Sequence, residues 1–219
     1  MTNKPLLLTL AGCLVLCSSL FTSCKDDYED IYQGYGMLDR TGDNSYLIRM
    51  DDRNILNSKE SSALDNNLKD SMRLFVEYSI IDIRDSIFDV KLHRAQEILT
   101  KSPLPYNEDK LDSIGSDAIK ITNYWMAYGF LNFEFVYTGG FPVPEVKHMV
   151  NLLYHPITDK TLELEFRHNA FNDRREQVVQ GVVSFPIEQL MSRMEKPVTI
   201  KIKYNDSTST SRTIEFTYR

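Results

Sequence analysis

Beyond residue 24 the chain has no cysteine; the three it carries are Cys13, Cys17 and Cys24. A fold built from the residues that follow therefore has no disulfide, no thiolate nucleophile and no cysteine-ligated metal. Basic residues are also in deficit. Lys4 is the only charge ahead of Cys24, which leaves 24 basic against 31 acidic residues and a net charge of −7 from Cys24 onward. Nucleic-acid binding needs a basic face to displace counterions from phosphate, so this balance argues against that partner class, and no nucleic-acid partner is expected. A Gly-rich phosphate loop, a Gly-x-Ser-x-Gly elbow and a His-Glu-x-x-His helix are all missing, and with them the signatures of phosphate-loop enzymes, α/β-hydrolases and zincin proteases. No cofactor is expected.

What is present begins at the N-terminus. Lys4 and the free amine make a small positive end, Leu6 to Phe21 is apolar or small, and Thr22-Ser23 places small residues just ahead of Cys24. This is the pattern of a cleaved export leader. The alternative is a transmembrane anchor, since Pro5 to Ser23 is uncharged over about the 20 residues a bilayer requires. Six small or hydroxylated residues dilute that run, however, and it lacks a basic stop-transfer flank. Phe21-Thr22-Ser23-Cys24 resembles a bacterial lipobox, in which the cysteine sulfur receives a diacylglycerol and becomes the mature N-terminus. Lys25-Asp26-Asp27 resembles the export signal that directs Bacteroidetes lipoproteins to the outer face of the outer membrane. A periplasm-facing anchor is the alternative, with the acids serving as a self-repelling tether.

Past the tether the periodicity is two, not 3.6. Met37-Leu38 and Tyr46 to Met50 flank a hairpin-type cluster at Arg40 to Asn44. Met72, Leu74, Val76, Tyr78 and Ile80 share one face, with Arg73, Glu77 and Ser79 opposite, and Phe88, Val90 and Leu92 repeat the pattern after an Asp82 to Ser86 turn. The polar stretch between holds a short strand at Asn54 to Leu56 and a helical turn near Leu64 to Leu68. These pieces describe a small antiparallel barrel. Two prolines at Pro103 and Pro105, then a polar run to Asp117, mark a boundary. Beyond it seven runs read as strands: Asp117 to Thr122, Gly129 to Tyr137, Val146 to Tyr154, Thr161 to His168, Gln177 to Phe185, Val198 to Tyr204 and Thr213 to Tyr218. Together they point to a β-sandwich. One helix is expected at Pro186 to Met194, capped by Ser184. The chain is thus all-β with two small domains: a leader at 1–23, a lipidated cysteine and acidic tether at 24–33, an OB-like barrel at 34–102, a linker at 103–116 and a sandwich at 117–219.

Several segments carry a family resemblance. Gly36 through Lys101, Tyr128-Gly129-Phe130-Leu131-Asn132, His148, Leu152-Leu153-Tyr154, Phe166-Arg167-His168-Asn169-Ala170 with Asp173, and Gly181 to Phe185 resemble the NigD-like lipoproteins. The resemblance implies an N-terminal OB-type domain and a C-terminal β-sandwich. It also implies an association with a bacteriocin locus, without a defined chemistry.

If His155 to Lys160 turns a hairpin, cross-strand partners place Leu152 opposite Leu164, Val150 opposite Phe166 and His148 opposite His168. Two imidazoles on one face, with Asp173 or Glu145 as a third group, form a candidate metal site. The alternative is a pair of half-buried histidines hydrogen-bonded at the rim of the core. Asp51-Asp52, Asp26-Asp27 and Glu108-Asp109 are adjacent carboxylates, which on strands or tails point apart and are solvated. Tyr124 and Trp125 form a candidate platform for sugar, peptide or protein, or else pack in a core or between the domains. With Asn169 these complete the candidate ligand contacts. Two functions of different class follow: a monomeric, lipid-anchored surface module that binds a protein or glycan partner without catalysis, and a metal-dependent hydrolase at His148 and His168. A bacteriocin accessory or immunity role is the third.

Overall fold

The computed structural model describes residues 29–40, 46–60, 69–141, 146–158, 160–206 and 210–219. The leader, the lipobox, the acidic export signal and the expected helical turn near Leu64 lie outside the described residues. No helix among the described residues is long and apolar enough to cross a membrane.

Five strands close a barrel: β1 (Tyr32–Arg40), β2 (Tyr46–Met50), β3 (Ile55–Glu60), β4 (Arg73–Arg84) and β5 (Ile87–Glu97), in the order β1-β2-β3-β5-β4 with β4 returning to β1. All neighbours are antiparallel except β3 and β5. Closure leaves no free edge, and the small lumen is filled by Leu38, Ile48, Leu56, Leu74, Val76, Val90 and Leu92. Gly36 lets β1 cross β2 closely, because a Cβ there would lie 2.8 Å from the carbonyl oxygen of Arg49.

The remaining strands form two sheets. One has the order β14-β13-β11-β10-β7 and the other β6-β12-β9-β8, with β6 at Leu99–Thr100, β7 at Leu104–Pro105, β8 at Lys120–Ala127, β9 at Phe130–Gly139, β10 at Met149–Tyr154, β11 at Thr161–Asn169, β12 at Gln177–Pro186, β13 at Val198–Asn205 and β14 at Ser211–Tyr218. Between them Phe133 stacks on Phe166 at a centroid distance of 4.7 Å, and Phe185 meets both edge-on at 6.1 and 6.2 Å, among buried Leu, Ile and Val. Aromatic contacts of this kind add to the burial of apolar area as the main source of cohesion.

The stretch expected as a linker is not bare: β7 adds a parallel strand to β10, and α1 (Leu111–Ile114) follows. Just ahead of it, inside the stretch expected to belong to the barrel, β6 adds a parallel strand to β12. Lys101, between β6 and β7, donates to the carbonyl of Val150 and to Asn151 Oδ1, both at 2.7 Å. The chain leaving the barrel is thereby tied to both sheets.

Two local expectations are corrected. The helix is a single turn, α2 (Glu188–Met191), because Pro186 completes β12. Ser184 is not its cap: it is buried in β12 and donates to Asn132 Oδ1 at 2.6 Å. The hairpin register is also shifted by two residues. Leu152 faces Phe166 and Val150 faces His168, because the ladder extends to a His155 N–H···Glu163 O bond and the turn sits further along the chain. A shift of two keeps every side chain on its face, so the inward stripe of Leu162, Leu164, Phe166 and His168 stands.

Candidate functional site

Arg167-His168-Asn169-Ala170 ends β11, and strand alternation sends its side chains to opposite faces. His168 points inward and is 1% exposed. With the corrected register His148, one residue ahead of β10, is not its direct cross-strand partner but its diagonal neighbour. The imidazoles meet all the same: His148 Nδ1 lies 3.0 Å from His168 Nε2, His148 Nε2 lies 3.0 Å from Asp173 Oδ2, and His168 Nδ1 lies 3.1 Å from the carbonyl of Ala118.

The two ends of this chain are fixed by acceptors: the Ala118 carbonyl only accepts, so His168 Nδ1 carries hydrogen, and Asp173 Oδ2 accepts from His148 Nε2. His148 Nδ1 and His168 Nε2 make the contact between the rings. Burial lowers the pKa of His168, a shift partly opposed by its bond to Ala118. The N–H of Gly140 and the bond from His148 hold Asp173 below the ordinary carboxylate value, despite its burial. Tyr137 lies against both rings, 4.5 Å from His148 and 5.1 Å from His168, and burial raises its phenol pKa.

The three groups form a line, not a convergent set of ligands. Both nitrogens of each histidine are occupied, and among the described residues no three His, Cys, Asp or Glu side chains are disposed to hold a metal ion. Among the described residues the partners of the two imidazoles are each other, Asp173 and the Ala118 carbonyl. The evident effect of this relay is to tie together the loops carrying Ala118, Gly140 and Asp173. A cleft of about 190 Å³ adjoins it, lined by His168, Tyr137, Ala170 and Val178.

Asn169, expected as a ligand contact, spends its amide locally: Nδ2 donates to Ser113 O at 3.0 Å, and Oδ1 accepts from Phe171 N–H at 2.8 Å. Tyr124 packs at 5.4 Å against Phe216 of β14, where the edges of the two sheets meet, and is 37% exposed. Trp125 lies elsewhere, at the junction of barrel and sandwich. Its indole N–H donates to Asp51 Oδ2 at 2.6 Å, and its ring lies 4.9 Å from Tyr35.

That junction is the polar feature sequence reasoning missed. Asp51 is no solvated member of an acid pair. It receives both terminal nitrogens of Arg73, at 2.6 and 2.5 Å, and Arg73, expected on the outer face, is 1% exposed. Arg73 also donates to Asn132 Oδ1 at 3.1 Å, which takes Ser184 as well. Tyr128 OH donates to Met50 O at 2.7 Å, and Tyr35 OH donates to Glu134 Oε1 at 2.7 Å. Burial, then the Glu134 carboxylate, raises the Tyr35 pKa strongly. The barrel thus covers the outer face of the β6-β12-β9-β8 sheet around Trp125, Asn132, Glu134 and Ser184. The available signal was Phe130, an aromatic side chain on the parity opposite to Leu131, Phe133 and Phe135, where a one-sided sheet would present a polar residue to water; its ring lies under the Arg73 guanidinium at 5.7 Å.

Comparison with known proteins places this geometry. Among solved structures, a candidate toxin-related protein from Parabacteroides distasonis is 27% identical, the match covering 87% of this chain and 94% of that one with a TM-score of 0.69. A NigD-like immunity protein from Bacteroides caccae is 17% identical, covering 88% and 100%, with a TM-score of 0.65. A candidate lipoprotein from Bacteroides fragilis is 11% identical, covering 87% and 99%, with a TM-score of 0.68. No curated protein matches the chain. Residues 102–218, more than half of the sequence, match the NigD-like C-terminal beta sandwich domain, and the chain belongs to the NigD-like family.

Proposed function

We propose that this chain is a lipid-anchored protein of the cell envelope, displayed on the outer membrane surface, that binds or scaffolds a protein or glycan partner without catalysis. One observation carries the reading: the last cysteine of the sequence closes an apolar leader as Phe21-Thr22-Ser23-Cys24 and is followed at once by Lys25-Asp26-Asp27. The Bacteroides fragilis neighbour, itself described as a candidate lipoprotein, supports the anchor. Support for a non-catalytic role comes from the histidine relay, whose nitrogens are spent on one another, on Ala118 and on Asp173. Acyl chains contribute about 0.8 kcal/mol per buried methylene, so several chains on Cys24 hold the protein stably where one would not. Cys24→Ala is expected to abolish acylation, measured by incorporation of labelled fatty acid, and to move the protein out of the membrane fraction. Unchanged detergent extraction of that variant would refute the anchor.

A bacteriocin immunity role is the second reading, favoured by the description of the Bacteroides caccae neighbour. A deletion strain is then expected to become sensitive to the cognate bacteriocin, and unchanged sensitivity removes this reading.

A further inference from the structure

The end of the barrel remote from the sandwich carries an apolar group that no part of the described fold covers. Ile81 and Ile83, near the end of β4, are 57% and 56% exposed, Ile87 at the start of β5 is 39% exposed, and Ile31 just ahead of β1 is 64% exposed. Isolated exposed isoleucines are ordinary; here Ile83, opposite Phe88, and Ile87, opposite Arg84, lie on the two faces of one hairpin tip, so the tip is apolar on both sides.

Topology says what lies opposite that tip. β1 runs antiparallel to β4, with Tyr32 opposite Tyr78. Going upstream from Tyr32, the chain therefore travels along β4 toward the β4–β5 hairpin. Glu29 is on that course: it accepts from the hydroxyl of Ser79 and lies 3.7 Å from Lys91 Nζ and 3.9 Å from His93 Nε2. Cys24 is five residues further upstream, and five residues span at most about 18 Å. An acyl group on Cys24 would then lie within about 18 Å of Glu29, a range that includes the hairpin. At the other end of the same strand, Arg73 is buried at the junction with the sandwich.

We infer that the β4–β5 hairpin end of the barrel, with Ile31, Ile81, Ile83 and Ile87, docks on the bilayer that holds the acylated Cys24. This rests on the lipid-anchor reading. The charges near the tip do not make a basic patch, since Arg84 pairs with Asp89 and lies 3.8 Å from Asp82. Docking is therefore apolar and insensitive to salt, unlike polybasic attraction to anionic lipid. The anchor makes the contact intramolecular, so a weak interaction suffices. β4 has 12 residues, and at about 3.3 Å each it holds the sandwich on the order of 40 Å above the lipid.

The test uses the full mature protein, purified with its lipid and reconstituted into phosphatidylethanolamine–phosphatidylglycerol vesicles with and without brominated acyl chains. Because the folded part has no cysteine, an Ile83→Cys variant takes a single fluorophore, and Val178→Cys, exposed on the sandwich, is the control. Intact mass of the same sample reports acylation. In acylated protein, brominated lipid is expected to quench the label at position 83 severalfold more than at 178. A label at Asp85→Cys is expected to lose that preference when Ile81, Ile83 and Ile87 are all changed to serine. Equal quenching at 83 and 178 in acylated protein overturns the docking while leaving the anchor intact; absence of acylation overturns both. A concentration-dependent spectral shift of the position-83 label without vesicles assigns the tip to a second copy and also overturns the proposal.

Discussion

Two residues, His168 and Arg73, show how a buried polar group is tolerated only with its partners in place. His168 stays neutral inside the sandwich, its pKa lowered by burial. The unfolded chain therefore takes up a proton on this ring at higher pH than the folded one. The contribution is complete above the ordinary value near 6.5 and is lost as pH falls toward the folded value. Asp173, also lowered, gives the same sign at lower pH: its contribution is complete above the ordinary carboxylate range and is lost as pH falls through the folded value. A plot of Tm against pH is expected to decline in two stages on acidification, and His168→Gln to remove the first stage; a variant whose profile matches wild type would contradict the relay. For Arg73, truncation leaves Asp51 as an uncompensated charge. Arg73→Met is expected to cost about 3–5 kcal/mol in a denaturant titration, and the Arg73→Met, Asp51→Asn double variant to cost clearly less than the sum of the two single changes. Strict additivity would mean that the pair does not interact.

At the scale of elements, the strands were legible because they alternate. Leu74, Val76 and Tyr78 in β4, and Leu162, Leu164 and Phe166 in β11, are buried on the expected side. What pattern could not supply was anything set by a second packed face. Around Asn132 and Ser184, β9 and β12 are covered on both faces, so these two residues are buried in a polar junction, whereas Ser184 reads as a helix cap from the sequence. The same limit hid Arg73. Register escaped for a different reason: a hairpin's apolar stripe is unchanged by a two-residue shift, so alternation alone cannot tell Leu152 opposite Leu164 from Leu152 opposite Phe166. The histidines were brought together nonetheless, since the shift preserves their face. The small additions β6 and β7 had no pattern to show, being two residues each.

At the scale of the molecule, the contacts across the junction are expected to make barrel and sandwich unfold as one unit. Trp125 is the only tryptophan, and it sits in that junction, hydrogen-bonded to Asp51. Its fluorescence and the far-ultraviolet circular dichroism are expected to report coincident unfolding transitions in wild type. In Asp51→Ala the fluorescence transition is expected to come first. Separated transitions in wild type would show that the two units unfold independently. The same architecture bears on function. Under the proposed lipid anchor, the barrel would stand between the membrane and the sandwich and leave the sandwich facing outward. The most direct test of that account is protease digestion of intact cells, comparing wild type with the Asp26→Ala, Asp27→Ala variant beside a periplasmic control. The account predicts that wild type is digested while the variant, still acylated, is protected. Protection of wild type alongside the periplasmic control would contradict surface display.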